Sequence, residues 1–190
     1  MALIWLCIAF LLLGVLVAVI AACPVAAIAD EAEDADWVPA APEYRMIYPG
    51  IPLRQDFIEY LTGICKDYDV PVPLVLAVIA RESDFDAGLV DDYGQSYGLM
   101  QVQPQWHRER MERLGVIDLL DPSQNILVGI DYLAELLNIG KGEEYAVMWY
   151  NGGEIHANAY YKRGEMSHYC ADVMRMRDCI AEAALVEVVT

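Results

Sequence analysis

Seven consecutive apolar residues, Leu74-Val75-Leu76-Ala77-Val78-Ile79-Ala80, follow Pro71-Val72-Pro73 and stop at Arg81-Glu82-Ser83-Asp84. Proline is tolerated in a first helical turn, so this segment reads as a helix opened by its prolines. A helix that is apolar on every side has no face to offer water, so other elements must wrap it. The segment is therefore expected at the buried centre of the fold.

The flanking sequence supplies the wrapping. Phe57, Ile58, Leu61, Ile64, Cys65 and Tyr68 recur at helical spacing. A polar stretch from Ala87 to Gly98 precedes a helix expected near Pro104 to Leu114. Asp121-Pro122 caps another, whose core face is Ile126, Ile130, Leu133 and Leu137. A helix from Glu143 to Tyr150 is expected to stop at Asn151-Gly152-Gly153, and two more cover 154–163 and 167–180. The β-friendly piece is short, around Tyr97 to Val102. The fold class is mainly α, with at most a very short β element.

Before this domain, Ala2 to Ala22 carry no charge. A run of roughly 20 such residues can span a bilayer or serve as a long export signal. Three readings compete: cleavage after Ala27-Ile28-Ala29, lipidation at Cys23 of Ile20-Ala21-Ala22-Cys23, or a retained anchor. All imply export, and the anchor is favoured over release. No Lys or Arg precedes Arg45, so the usual basic flank is missing, while Asp30, Glu31, Glu33, Asp34 and Asp36 follow the run. Nothing basic retains that side, so the bulk of the chain is expected on the cell-wall side, anchored or secreted. The chain divides into the apolar segment 1–29, an acidic and Pro/Ala-rich linker 30–54, a catalytic domain 55–180 and a tail 181–190. Glu182 and Glu187 break the apolar tail, and no pattern assigns it.

A formal charge of −17 excludes nucleic acid as a partner, because phosphate binding needs a basic surface. Cys65, Cys170 and Cys179 allow at most one internal disulfide, and no cysteine or histidine spacing suggests a metal site. His107, His156 and His168 are scattered and read as surface or capping residues.

Glu82 carries the chemistry. It closes the all-apolar helix, where burial and the negative helix end both disfavour a charged carboxylate and raise its pKa. A carboxylic acid kept protonated near neutral pH is what cleavage of a glycosidic bond needs. A bland pairing with Arg81 is the alternative.

Further motifs join it in order: Ile79-Ala80-Arg81-Glu82-Ser83-Asp84-Phe85, then Tyr97-Gly98-Leu99-Met100-Gln101-Val102, then Trp149-Tyr150-Asn151-Gly152-Gly153, and Ser167-His168-Tyr169 with Val173. Together they resemble the soluble lytic transglycosylase catalytic domain of the lysozyme-like superfamily, over roughly residues 57–173. The resemblance implies a lysozyme-like helical fold acting on peptidoglycan glycan strands. Glu82 would protonate the bond between N-acetylmuramic acid and N-acetylglucosamine. It would then take a proton from the muramyl C6 hydroxyl as a 1,6-anhydro ring closes. Ser96, Gln101, Tyr150, Asn151 and Tyr169 would line the groove, with Ser83, Gly98, Leu99 and Met100 also contacting substrate. No metal or cofactor is implied; a secretion or conjugation apparatus is a fitting partner.

Two departures keep alternatives open. Ala87 stands where the family often has proline, and the loop carries Asp84, Asp86, Asp91 and Asp92. If one of these acids positions a water, the outcome is hydrolysis, as in goose-type lysozyme. A third reading is a non-catalytic, membrane-anchored glycan-binding or scaffold protein.

Overall fold

The computed structural model describes residues 43–189 apart from Asp92. The apolar run 2–22, the cleavage and lipidation candidates and residues 30–42 lie outside the described residues. No helix among the described residues is long and apolar enough to cross a membrane.

Among the described residues six helices and two strands follow in the order β1 (Glu43–Ile47), α1 (Gln55–Asp67), α2 (Val72–Ser83), α3 (Pro104–Leu114), α4 (Pro122–Leu137), α5 (Glu143–Tyr161), α6 (His168–Ala183) and β2 (Leu185–Val189). As its sequence requires, α2 is central. Leu74 through Ile79 have no exposed surface, and α2 packs between α1 and α6. Helix α1 contributes Ile58, Leu61, Ile64 and Cys65 to the core, the stripe its spacing predicts. On the other flank α4 packs against α1, α3 and α5. Asp121 caps α4 through the amides of Ser123 and Gln124 at 2.8 and 3.1 Å, and Ser167 caps α6 through that of Cys170 at 3.2 Å.

Two expectations need correction. Residues 43–47, read as linker, and 185–189, in the unassigned tail, pair as antiparallel strands with Glu43 opposite Val189 and Ile47 opposite Leu185. Two five-residue strands far apart in sequence carry no local period that marks them as partners. The helices expected either side of Asn151-Gly152-Gly153 form one element, broken at Gly153, whose φ of +76° and ψ of 175° are not helical. Glycine reaches that φ without the side-chain clash other residues meet. The short β element at Tyr97–Val102 consists of two isolated bridges, Val90 with Tyr97 and Tyr97 with Val102.

Candidate active site

The last turn of α2 presents Glu82 half-buried at the rim of the core. The backbone then leaves the helix abruptly, since Asp84 and Phe85 both take left-handed conformations, with φ of 49° and 66°. Gln101 is a third such non-glycine residue nearby, with φ of 46°. Strain of this kind persists only where surrounding contacts enforce it.

Those contacts are visible. The buried Ser83 hydroxyl donates to the carbonyl of Leu99 at 2.8 Å and of Ile79 at 3.2 Å, tying the end of α2 to the turn at 97–101. Asn125, wholly buried on α4, holds the same turn. Its Oδ1 accepts from the Met100 amide at 2.8 Å, while Nδ2 donates to the carbonyls of Tyr97 at 2.7 Å and Leu119 at 2.8 Å. Gly98 lets this approach happen, because a Cβ there would lie 2.5 Å from Asn125 Nδ2 and 2.6 Å from the Leu119 oxygen. Gln101 Nε2 closes the turn by donating to the Gly98 carbonyl at 2.9 Å and that of Leu89 at 3.2 Å.

Two tyrosines complete the site. Tyr150, on α5, donates its hydroxyl to the Met100 carbonyl at 2.8 Å. Tyr169, on α6, donates to Glu82 Oε1 at 2.5 Å, and the Arg81 guanidinium sits 5.4 Å from the Tyr169 ring centre. Burial raises the pKa of Glu82, against the opposing pull of the Tyr169 hydroxyl and the Arg81 charge. Burial, reinforced by the Glu82 charge, also pushes both tyrosine hydroxyls well above their usual range, so they remain donors.

A cavity of about 680 Å³ opens on Glu82 and is also lined by Ser96, Gln101, Tyr150 and Asn151. Five residues named from sequence thus meet there. Tyr169 reaches the site through Glu82, from behind it. Ser83, Gly98, Leu99 and Met100 were expected to contact substrate and do not line the cavity: all four are buried, shaping the turn that carries Gln101. Asp84, Asp86 and Asp91 are also absent from the lining, and Asp92 lies outside the described residues. Asp86 and Asp91 instead accept from backbone amides of their own turns, Gly88 at 2.8 Å and Gln95 at 2.6 Å.

The far wall of the cavity was missed. Trp106, His107 and Arg110 from α3 face Tyr132 and Glu135 from α4 and Trp149 from α5. Arg110 is held by Asp131 at 2.7 Å and by Glu135. His107, read as a surface or capping residue, packs at a tilt against Tyr132 with ring centres 4.6 Å apart and accepts from Arg110 through Nδ1 at 2.8 Å. Burial and the neighbouring Arg110 charge lower its pKa to about 4. Asn125 follows Ser123 and Gln124 in the polar first turn of α4, ahead of Ile126, so no local pattern singled it out. Of the wall, Trp149 alone stood in a sequence motif, and nothing local marked the rest.

The model of the family described as transglycosylase SLT domain matches residues 59–168. Among solved structures, an inactive mutant of the lytic transglycosylase Slt from Pseudomonas aeruginosa aligns with a TM-score of 0.52 at 20% identity, covering 68% of this chain and 22% of that one. The 70-kDa soluble lytic transglycosylase from Escherichia coli gives 0.51 at 19%, covering 68% and 23%. The 70-kDa soluble lytic transglycosylase in complex with bulgecin A gives the same values. At these identities the likeness is one of fold, and the chain spans less than a quarter of the length of those enzymes.

Proposed function

Because the chain belongs to the transglycosylase SLT domain family, we propose that it cleaves the glycan strands of peptidoglycan, with Glu82 as its single acid and base. The observation that carries this reading is a half-buried carboxyl with a raised pKa, bonded by Tyr169, on the wall of an open cavity shared with Gln101 and Tyr150.

In the first step the protonated Glu82 carboxyl gives its proton to the glycosidic oxygen as the bond from the N-acetylmuramyl C1 breaks. The carboxylate left behind is met by the Tyr169 hydroxyl, a charge-assisted bond that stabilises it. The substrate's own N-acetyl group carries the positive charge developing at C1. Glu82 then takes the proton of the C6 hydroxyl as O6 bonds to C1, giving a 1,6-anhydro end and restoring the acid. No water is consumed. That the loop acids Asp84, Asp86 and Asp91 stand outside the cavity lining, with Asp86 and Asp91 occupied by backbone amides, supports this outcome over hydrolysis, which needs a positioned water. Export through the N-terminal apolar segment, membrane anchoring and service to a secretion or conjugation apparatus belong to the same proposal.

Mass spectrometry of digested peptidoglycan is the test. Anhydro-muramyl ends are expected from the unaltered chain, with none from Glu82→Gln, which keeps its affinity for the glycan. Reducing ends would replace the lytic step by hydrolysis. Undiminished release by Glu82→Gln would remove Glu82 from the chemistry.

A further inference from the structure

Arg81 and Asp172 stand beside the acid without lining the cavity. Arg81 lies in the last turn of α2, one residue before Glu82, and Asp172 lies one turn beyond Tyr169 on α6. Packing of α2 against α6 brings the two side chains together. Arg81 Nε is 3.8 Å from Asp172 Oδ2, too far for a hydrogen bond, and 46% and 39% of the two side chains remain exposed. Asp172 Oδ1 accepts instead from Arg175 Nη2 at 2.7 Å. The carboxylate is thus shared, and it holds Arg81 loosely.

The guanidinium has a second partner. It sits over the Tyr169 ring, 5.4 Å from its centre, and the hydroxyl of that ring donates to Glu82 Oε1 at 2.5 Å. A cation is drawn to an aromatic face by the ring's electron density. It polarises the ring in return, so the hydroxyl becomes a stronger donor and the carboxylate it meets is easier to form. Burial raises the pKa of both Glu82 and Tyr169 most, and the Arg81 charge opposes it at each. Tyr150 of α5 is the other titratable group facing them, and it stays a neutral donor to the Met100 carbonyl.

An acid that must later act as base needs a proton held neither too tightly nor too loosely. We infer that Arg81 and Asp172 are positioning residues that set how tightly Glu82 holds its proton, Arg81 favouring the carboxylate through the Tyr169 ring and Asp172 tempering that pull. The inference rests on Glu82 as the acid of the proposed function and adds what adjusts it.

The two partners act with opposite sign. Arg81→Gln removes the cation, so the Glu82 carboxyl keeps its proton to higher pH. Asp172→Asn leaves Arg81 unopposed, so the proton is lost at lower pH. Shifts of about 0.5 pH units upward and about 0.2 downward are expected, the size that partly exposed charges produce, with Arg81→Lys near the parent. They are read as the alkaline limb of kcat/KM on peptidoglycan glycan strands. They are read again as the titration of the ¹³C-labelled Glu82 carboxyl signal, assigned by its loss in Glu82→Gln. In about 1 M salt, where charges are screened beyond roughly 3 Å, both carboxyl shifts are expected to shrink. Midpoints that stay fixed, as a purely structural role would leave them, or that move the same way in both variants, would overturn the pairing while leaving cleavage by Glu82 standing. If the unaltered chain releases nothing but the carboxyl signal still moves in opposite directions, the cleavage proposal fails and the pairing survives.

Discussion

Replacing Asn125 by alanine removes the bracket that seats the 97–101 turn on α4. The Met100 amide loses its acceptor and the Leu119 carbonyl its donor, whereas the Tyr97 oxygen keeps the Val102 amide at 3.0 Å. Two buried groups left without partners at roughly 1–3 kcal/mol each give a loss of about 4 kcal/mol. That is a large part of the stability of an ordinary domain. At about 2–4 °C per kcal/mol for a domain of this size, thermal unfolding followed by circular dichroism is expected 8–16 °C below the parent. Asn125→Asp sharpens the test. Its carboxylate can still accept from Met100, but turns an acceptor towards the oxygens of Tyr97 and Leu119, so it is expected to lose at least as much as alanine. Both variants, assayed well below their own Tm, are expected to release wall fragments more slowly, since Gln101 and the Met100 carbonyl that holds Tyr150 both move with the turn. A parental Tm for Asn125→Asp, or a fall of under 3 °C for Asn125→Ala, would refute the assignment of these bonds.

Tyr169→Phe withdraws the hydroxyl that steadies the Glu82 carboxylate and opposes the raising of its pKa. The alkaline limb of kcat/KM against pH, which reports loss of the protonated acid, is expected to move upward; a fixed or lowered limb would contradict the bond. His107 has a folded pKa of about 4 against an ordinary 6.5, so the unfolded chain binds the proton more readily. Its contribution, at most about 3 kcal/mol, is present above pH 6.5 and is lost as pH falls towards 4. Denaturant unfolding across that window is expected to show a shallower pH dependence in His107→Asn, and an unchanged slope would place the ring in water.

The positions of the helices were written locally. Apolar residues three and four apart, a proline in a first turn, and Asp121 or Ser167 ahead of a helix act within one or two turns, so sequence alone carries them. The unbroken apolarity of Leu74–Ala80 likewise forced α2 to the centre, and with it placed Glu82 at the edge of the core. Long-range packing decided the use of each side chain. Ser83 and Ser96 are the same residue type, yet one hydroxyl is spent on the carbonyls of Ile79 and Leu99 while the other reaches a cavity. Tyr169 meets Glu82 across 87 positions, and Arg45 of β1 pairs with Glu187 of β2 across 142. Such partners are brought together by burial of the core between them, which is non-directional and leaves no period in either segment. Sequence therefore determined the helices and the place of Glu82 at the edge of the core; the folded chain alone determined the bond from Tyr169 to it, the asparagine that seats the neighbouring turn and the aromatic wall across the cavity.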